Sequence, residues 1–427
     1  MLNISRNSLP RSAIGLFGFL AFSQVTFLPV SLYYFSLLFL AVTLLFFCLL
    51  LELRMDAGLT RYFSLFLSCF FIGVFSYPIS MGIESRFDYL DMGVFGRIVN
   101  LTLLFFIFIS MYAFHKKTGQ SYFDKFLVIR SYYFGVFIVL LIGVWQLLSF
   151  YSSVPFPFET RSHVHSTYGG GYSFLQRLTS IAREPSFFVM LAVDFIGLSL
   201  LFYSGFKKTV MVALGLLMVV FSLAPSGFIS LFGAVIGAWF FSGLKYFSGR
   251  MAFKKLVLSA LAVVSAVAIF FMNEEIFQYI YSRIFDATPD NSDRFYMVVM
   301  PYLWSLDGSL FSLLFGYGVK SYSIIGSYYI LPSGEAVHAT SNNIYTDIFW
   351  ESGLIGLVLL LSFFIFVFVS IFKGKIGRNY SFIAFYFLFD LVLSGFFRAD
   401  YASARFFIIL YLIYLIVNNP HRSSVGN

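Results

Sequence analysis

Charge is what this chain has least of. Of its 427 residues only 11% are Asp, Glu, Lys or Arg, against 59% hydrophobic and a mean hydropathy of +0.86. A soluble domain carries about a quarter charged residues to cover its surface, so a water-soluble globule is excluded. Cysteine is nearly absent as well. Cys48 and Cys69 both fall inside apolar runs, which leaves no disulfide framework and no zinc pattern. The polar stretches hold no Asp-x-Asp motif, and no phosphate-loop lysine follows Gly169-Gly170-Gly171. What is present is a series of apolar stretches from Ile14 to Val417, each long enough to cross a hydrocarbon core of about 30 Å. Lipid offers the backbone no hydrogen-bond partners, so such segments must be helices or a closed barrel. The runs are continuous and do not alternate with period two, which selects helices.

The chain therefore reads as one integral membrane domain over residues 1–427, an all-α polytopic membrane protein of about twelve transmembrane helices. The predicted spans are Ile14 to Val30, Ser31 to Leu51, Tyr62 to Gly82, Ile98 to Phe114, Tyr132 to Tyr151, Ser186 to Tyr203, Val210 to Ala224 and Phe228 to Leu244. Leu256 to Met272, Gly353 to Phe372, Ser381 to Phe397 and Ala402 to Val417 complete the set. Arg6 and Arg11 ahead of Ile14 resemble the start of a signal peptide, but a second apolar run follows at once, so the first helix is expected to be retained. Phe-rich segments such as Leu103 to Phe108 are expected to face lipid. Only Pro29 divides the first pair of spans, and only Pro225-Ser226-Gly227 the seventh from the eighth. With both termini cytoplasmic, the inner side takes 18 of the 28 basic residues and three of the 20 acidic ones, a net +15 against −7 elsewhere. Fusing either pair would reverse several basic loops, so the positive-inside rule favours twelve spans. The basic balance then reflects topology and anionic lipid and calls for no nucleic acid.

Two connections are long, 152–185 and 273–352, and both face outside in this topology. Long loops in a bundle are commonly functional. The second repeats apolar residues at helical spacing, Ile276-Phe277, Ile280-Tyr281 and Ile284-Phe285, then Met297, Met300, Leu303 and Trp304 within Tyr296 to Phe315. These predict short helices lying at the membrane surface. The first loop carries Glu159, Arg161, His163, His165, Arg177, Arg183 and Glu184. His163 and His165 lack the cysteine or dense carboxylates that a metal site would add, so no metal is expected. Pro185 suits the first turn of a helix, which puts Arg183 and Glu184 at the outer mouth of the sixth span. There the pair serves as an interfacial anchor, or Arg183 serves as a bidentate phosphate ligand.

Farther along come Asp293-Arg294, Gly316-Tyr317-Gly318, His338, Asn342, Asn343, Tyr345, Glu351, Gly353 and Gly356. In this order, and with Leu223-Ala224-Pro225-Ser226-Gly227 before them, the sequence resembles the O-antigen polymerase and O-antigen ligase superfamily of bacterial envelope proteins. Asp293-Arg294 looks like that family's loop arginine and Gly316-Tyr317-Gly318 like its GxG turn. Asn343 through Gly356 looks like its asparagine, acidic residue and GxxG helix start. The family often has histidine directly before the asparagine. Here Asn342 stands there and the histidine is His338, which tilts the reading toward a polymerase.

The resemblance implies glycosyl transfer from undecaprenyl-diphosphate-linked sugars at the periplasmic surface of the bacterial inner membrane, with no cofactor. It implies membrane lipid, the lipid-linked glycan and a chain-length regulator protein as partners. A diphosphate leaving group needs cations aimed at it. Arg183 and Arg294 are the expected catalytic arginines, with Arg161 and Arg283 in reserve, and His338 or Glu184 is the expected base. Asn342, Asn343, Tyr345 and Glu351 are the expected substrate contacts. Two rivals remain: a ligase that moves finished polymer to lipid A–core, and a flippase or other transporter. Transporters place ionisable groups near the membrane midplane, and Asp194 and Asp390 are the ones near span centres here.

Overall fold

The computed structural model describes residues 2–51, 54–83, 92–118, 122–152, 154–158, 168–169, 172–246, 293–322, 329–332, 334 and 341–418. Among them the chain is a polytopic helical membrane protein, with eight helices long and apolar enough to cross a membrane. In order these are α2 (Val30–Leu51), α3 (Ala57–Ile83), α4 (Met92–Lys117), α6 (Leu127–Tyr151), α7 (Pro185–Phe202), α8 (Gly205–Ser222), α9 (Pro225–Tyr246) and α12 (Ile344–Lys373). The other helices are α1 (Leu2–Leu20), α5 (Tyr122–Lys125), α10 (Asp293–Asp307), α11 (Leu310–Phe315), α13 (Arg378–Ser394) and α14 (Ala404–Asn418). The expected span Leu256 to Met272 and the helical pattern around Ile276 to Phe285 lie outside the described residues.

The two narrow divisions expected from proline are present. A 3-10 turn, Ala21–Val25, and an extended Thr26 separate α1 from α2. Leu223, with φ 47°, turns the chain between α8 and α9, and Pro225 opens α9. The first helix starts well before Ile14 and takes Arg6 and Arg11 into its own length. The first long loop contains a short hairpin that periodicity did not predict, 168–169 against 172–176. The expected surface helix at Tyr296 to Phe315 is two helices, α10 and α11, parted at Gly308. Met297 and Trp304 are buried on the inner face of α10, whereas Leu303 points outward.

Packing follows from which helices are apolar all round. α14 is buried continuously from Ala404 to Ile416, which marks a helix enclosed by its neighbours. Around it α9 lies along α13, α12 along α3, α1 along α6 and α7 along α8. The Leu103 to Phe108 segment does not face lipid as a block. Leu104, Ile107 and Phe108 are fully buried, and Phe108 meets Phe17, Phe63, Phe407 and Tyr411 at ring-centroid distances of 5.3 to 6.2 Å. With many Phe in the chain, the interior is largely aromatic, and apolar residues serve the core and the lipid face alike.

The largest departure from expectation is at α12. Its first nine residues, placed in the outer loop by sequence, are helical and almost entirely buried. The helix breaks at Gly353, with φ 68° and ψ −169°, and continues beyond it. A break inside a bundle leaves carbonyls without helical donors, and these are costly away from water. Gly316-Tyr317-Gly318 fills that need: the Tyr317 N–H donates to the Trp350 carbonyl (2.8 Å) and the Gly318 N–H to the Glu351 carbonyl (3.0 Å). The Ser76 hydroxyl of α3 also donates to the Glu351 carbonyl, at 3.3 Å. Gly316 and Gly318 have φ of 82° and 98°. A β-carbon on Gly316 would overlap the Glu351 carbonyl group, and one on Gly318 the Tyr77 backbone. The GxG turn is thus a clasp between α3 and the break in α12.

Candidate functional site

Polar contacts gather at two ends of the bundle. At one, Arg11 pairs with Asp124 (3.2 Å), Lys116 with Asp56 (3.0 Å), and Lys245 donates to the carbonyls of Ile371 (2.7 Å) and Gly374 (2.6 Å). Asp56 also accepts from the Tyr414 hydroxyl at 3.0 Å. Burial alone would raise the Asp56 carboxyl, but the Leu59 N–H, Lys116 and Tyr414 outweigh it and hold the group below its ordinary value. The other end lies about 28 Å away, the rise of α4 between Arg97 and Lys116 at 1.5 Å per residue.

That second end is organised by the turn between α13 and α14, residues 395–403. Arg97, near the start of α4, forms an ion pair with Glu351 and donates to the Tyr401 hydroxyl at 2.6 Å. Tyr401 in turn donates to the other Glu351 oxygen at 2.7 Å, and the Lys320 N–H donates to Glu351 at 3.0 Å. Three residues before Tyr401, Arg398 bonds both the Glu184 carboxylate and the Ser186 hydroxyl, with its guanidinium 3.7 Å from the Phe187 ring centroid. Stacking on an aromatic face while bonding a carboxylate is characteristic of arginine.

The turn is anchored from several sides. The Ile344 N–H donates to the Gly395 carbonyl at 2.8 Å, the Asn343 amide to the Phe396 carbonyl at 3.2 Å, and Asn100 to the Ala402 carbonyl at 2.7 Å. Gln24 accepts the Ala404 N–H at 2.8 Å.

The expected site residues divide into groups. Glu184 and Glu351 both meet arginines that the sequence reading did not select. Arg183 is exposed beside Glu184. Its backbone N–H bonds Val25 and its Nε the Thr26 carbonyl (both 3.1 Å), within a small antiparallel bridge, Thr26 to Ala182. Asn343 caps α12, its Oδ1 accepting from the Tyr345 and Thr346 N–H groups at 2.9 and 3.1 Å. Asn342 takes the left-handed backbone just before it, φ 57°. Tyr345 is turned into the bundle, bonding the Val392 carbonyl at 2.7 Å and packing on Phe396. The side chains of Asn343 and Tyr345 are therefore engaged in folding α12 and not in presenting polar groups outward. Arg294 lies in the first turn of α10. His338, Arg161 and Arg283 lie outside the described residues, as do His163 and His165.

Arg97, Arg398, Tyr401 and Asp347 were missed. Asp347, one turn before Glu351, accepts the Ser341 hydroxyl at 2.5 Å. The signal for Arg398 was available: Arg398, Asp400 and Arg405 crowd into eight residues between two apolar runs, in a chain with little charge. Arg97 gave no such signal, since it reads as an ordinary interfacial arginine. No group of three or more His, Cys, Asp and Glu among the described residues is arranged to hold a metal ion. No protein-family model matches the chain, and no curated protein matches its sequence.

Proposed function

We propose that this protein is an O-antigen polymerase of the bacterial inner membrane, with about twelve spans, both ends cytoplasmic, and its site on the periplasmic face. In this reading the acceptor hydroxyl of a new undecaprenyl-diphosphate-linked repeat unit attacks the anomeric carbon of the growing chain. The new glycosidic bond forms as the bond to diphosphate breaks, the electron pair leaves on the lipid diphosphate, and the hydroxyl proton passes to a base. The observation that carries the proposal is the pairing of Arg398 with Glu184 and of Arg97 with Glu351 across one short turn, with Arg183 exposed alongside. The segregation of lysine contacts to the far end of the bundle supports the orientation.

Developing charge on a diphosphate is stabilised by cations already held in place. Arg183 has its Nε fixed by the Thr26 carbonyl, which leaves the two terminal nitrogens to meet phosphate oxygens. Glu184 enters here as the partner that positions Arg398. A base needs a lone pair turned toward the acceptor hydroxyl, and Glu184 Oε2 takes Arg398 and Ser186 instead. His338 keeps the role of base.

The test is lipopolysaccharide from a strain lacking this gene, complemented with wild type, Arg183→Ala or Arg398→Ala at matched protein level. The deletion should show core plus one repeat unit with the ladder gone, and wild type alone should restore the ladder. An intact ladder in the deletion ends the proposal. Bare core with polymer stored on the lipid carrier would assign the ligase instead.

A further inference from the structure

The transfer leaves one polar centre unused. Arg405, buried in α14, donates through Nε to Asp194 Oδ2 (2.8 Å) and through Nη2 to Asp194 Oδ1 (3.1 Å) and Asp390 Oδ2 (2.6 Å). Its Nη1 donates to Asp400 Oδ2 at 2.8 Å. Tyr132 of α6 adds its hydroxyl to Asp194 Oδ2 at 2.6 Å. The Asp194 and Asp390 side chains are 0% exposed, Arg405 4% and Asp400 7%. One guanidinium thus faces three carboxylates, drawn from α7, α13 and the turn before α14, where unbalanced charge is very costly. The other titratable neighbours are the phenols Tyr132 and Tyr386. α9, packed on α13, brings only Lys245 and Tyr246, and Lys245 is bonded at the opposite end.

The donors are unevenly shared. Among the described residues Asp194 receives three, while Asp390 and Asp400 receive one each, and Oδ1 of both is buried with no donor. Arg405 Nη2 is shared by Asp194 Oδ1 (3.1 Å) and Asp390 Oδ2 (2.6 Å), so the two carboxyls crowd one nitrogen. Two buried carboxyls so placed do not both ionise readily, and a proton on one relieves the repulsion.

We infer that Asp390 is a proton-binding site: it is carried as the neutral acid and donates toward Asp194, which Arg405 and Tyr132 already bind. The proton joins α7 to α13, and through Arg405 and Asp400 it steadies the turn that bears Arg398 and Tyr401. This assignment does not depend on the reaction catalysed. Removing the proton sets a second bare carboxylate against Asp194 and loosens that turn.

Infrared spectra of the full-length protein in detergent at neutral pH test it directly, with Asp390→Asn and Asp400→Asn for comparison. The difference spectrum of wild type minus Asp390→Asn should show a carboxylic-acid carbonyl band that moves on exchange into D2O, and that of wild type minus Asp400→Asn should not. The folded state then holds a proton that the unfolded chain gives up, so stability falls as pH rises. Above about pH 5, past the unfolded carboxyl value, the folding constant should drop tenfold more per pH unit in wild type than in Asp390→Asn until the site itself titrates. If Asp390→Asn does not fold, Asp390→Glu, in which the acid band should shift in frequency, takes its place. No acid band in wild type, or one unchanged in Asp390→Asn, overturns the assignment. So does sodium chloride, against potassium chloride, raising the wild-type melting temperature at fixed pH, since a metal ion would then occupy the two bare oxygens.

Discussion

Glu351→Gln probes whether the Arg97 pair holds the fold, the chemistry or both. The Glu351 side chain is 2% exposed and that of Arg97 13%, so glutamine would leave a guanidinium buried without its counter-charge. Breaking a buried pair on one side costs about 3–5 kcal/mol. The lower part of that range applies here, because the Tyr401 oxygen still accepts from Arg97 at 2.6 Å. We therefore expect a loss of about 3 kcal/mol. Arg97→Met alone should cost a similar amount, since it leaves Glu351 with only Tyr401 and the Lys320 N–H. The double variant removes both charges and should be destabilised by less than the sum of the singles, with a coupling of about 1–3 kcal/mol. Denaturation in detergent across the four-member cycle measures this. On the proposed polymerase function, polymer length from the same four variants separates the roles: recovery of stability without recovery of the ladder would make the pair functional. Additive singles, or singles within about 0.5 kcal/mol of wild type, would refute the argument that the pair is a coupled, desolvated unit.

Two further outcomes follow from local geometry. Gly353→Ala places a side chain at φ 68° and ψ −169°, a backbone region nearly confined to glycine, costing about 1–3 kcal/mol. It also drives a methyl into the Leu314 carbonyl, so the variant should melt well below Gly96→Ala, where a methyl meets nothing within 4 Å. Asp56, held below its ordinary carboxyl value, contributes stability that is complete above the unfolded-state value and is lost as pH falls through the folded one. Acid titration of wild type should show that loss below about pH 4, and Asp56→Asn should flatten it.

What was legible in the sequence was whatever depends on solvent. Continuous apolar runs, the proline-marked breaks at Pro29 and Pro225 and the separation of basic from acidic loops all answer to lipid and water, and most of the described helices overlap those runs, with α1 and α12 starting well ahead of theirs. Arg183-Glu184-Pro185 was readable because Pro185 states where a helix starts. The first turns of α12 were misjudged for the same reason. Ile344 to Ser352 mixes Thr, Asp, Glu and Ser with aromatics, which looks like loop when lipid is taken as the only alternative to water. In fact protein surrounds it, and GxG backbone donors satisfy its broken end.

By itself the sequence determined the class of environment and where most of the apolar helices run, because transfer between water and lipid depends on each segment's own composition. Only the tertiary structure decided which charges meet. Arg97 and Glu351, Arg398 and Glu184, and Arg405 and Asp194 are separated by more than 200 residues in every pair. Their attraction is strong only after burial has removed water from both partners, and composition along the chain does not record which helices will do that to one another.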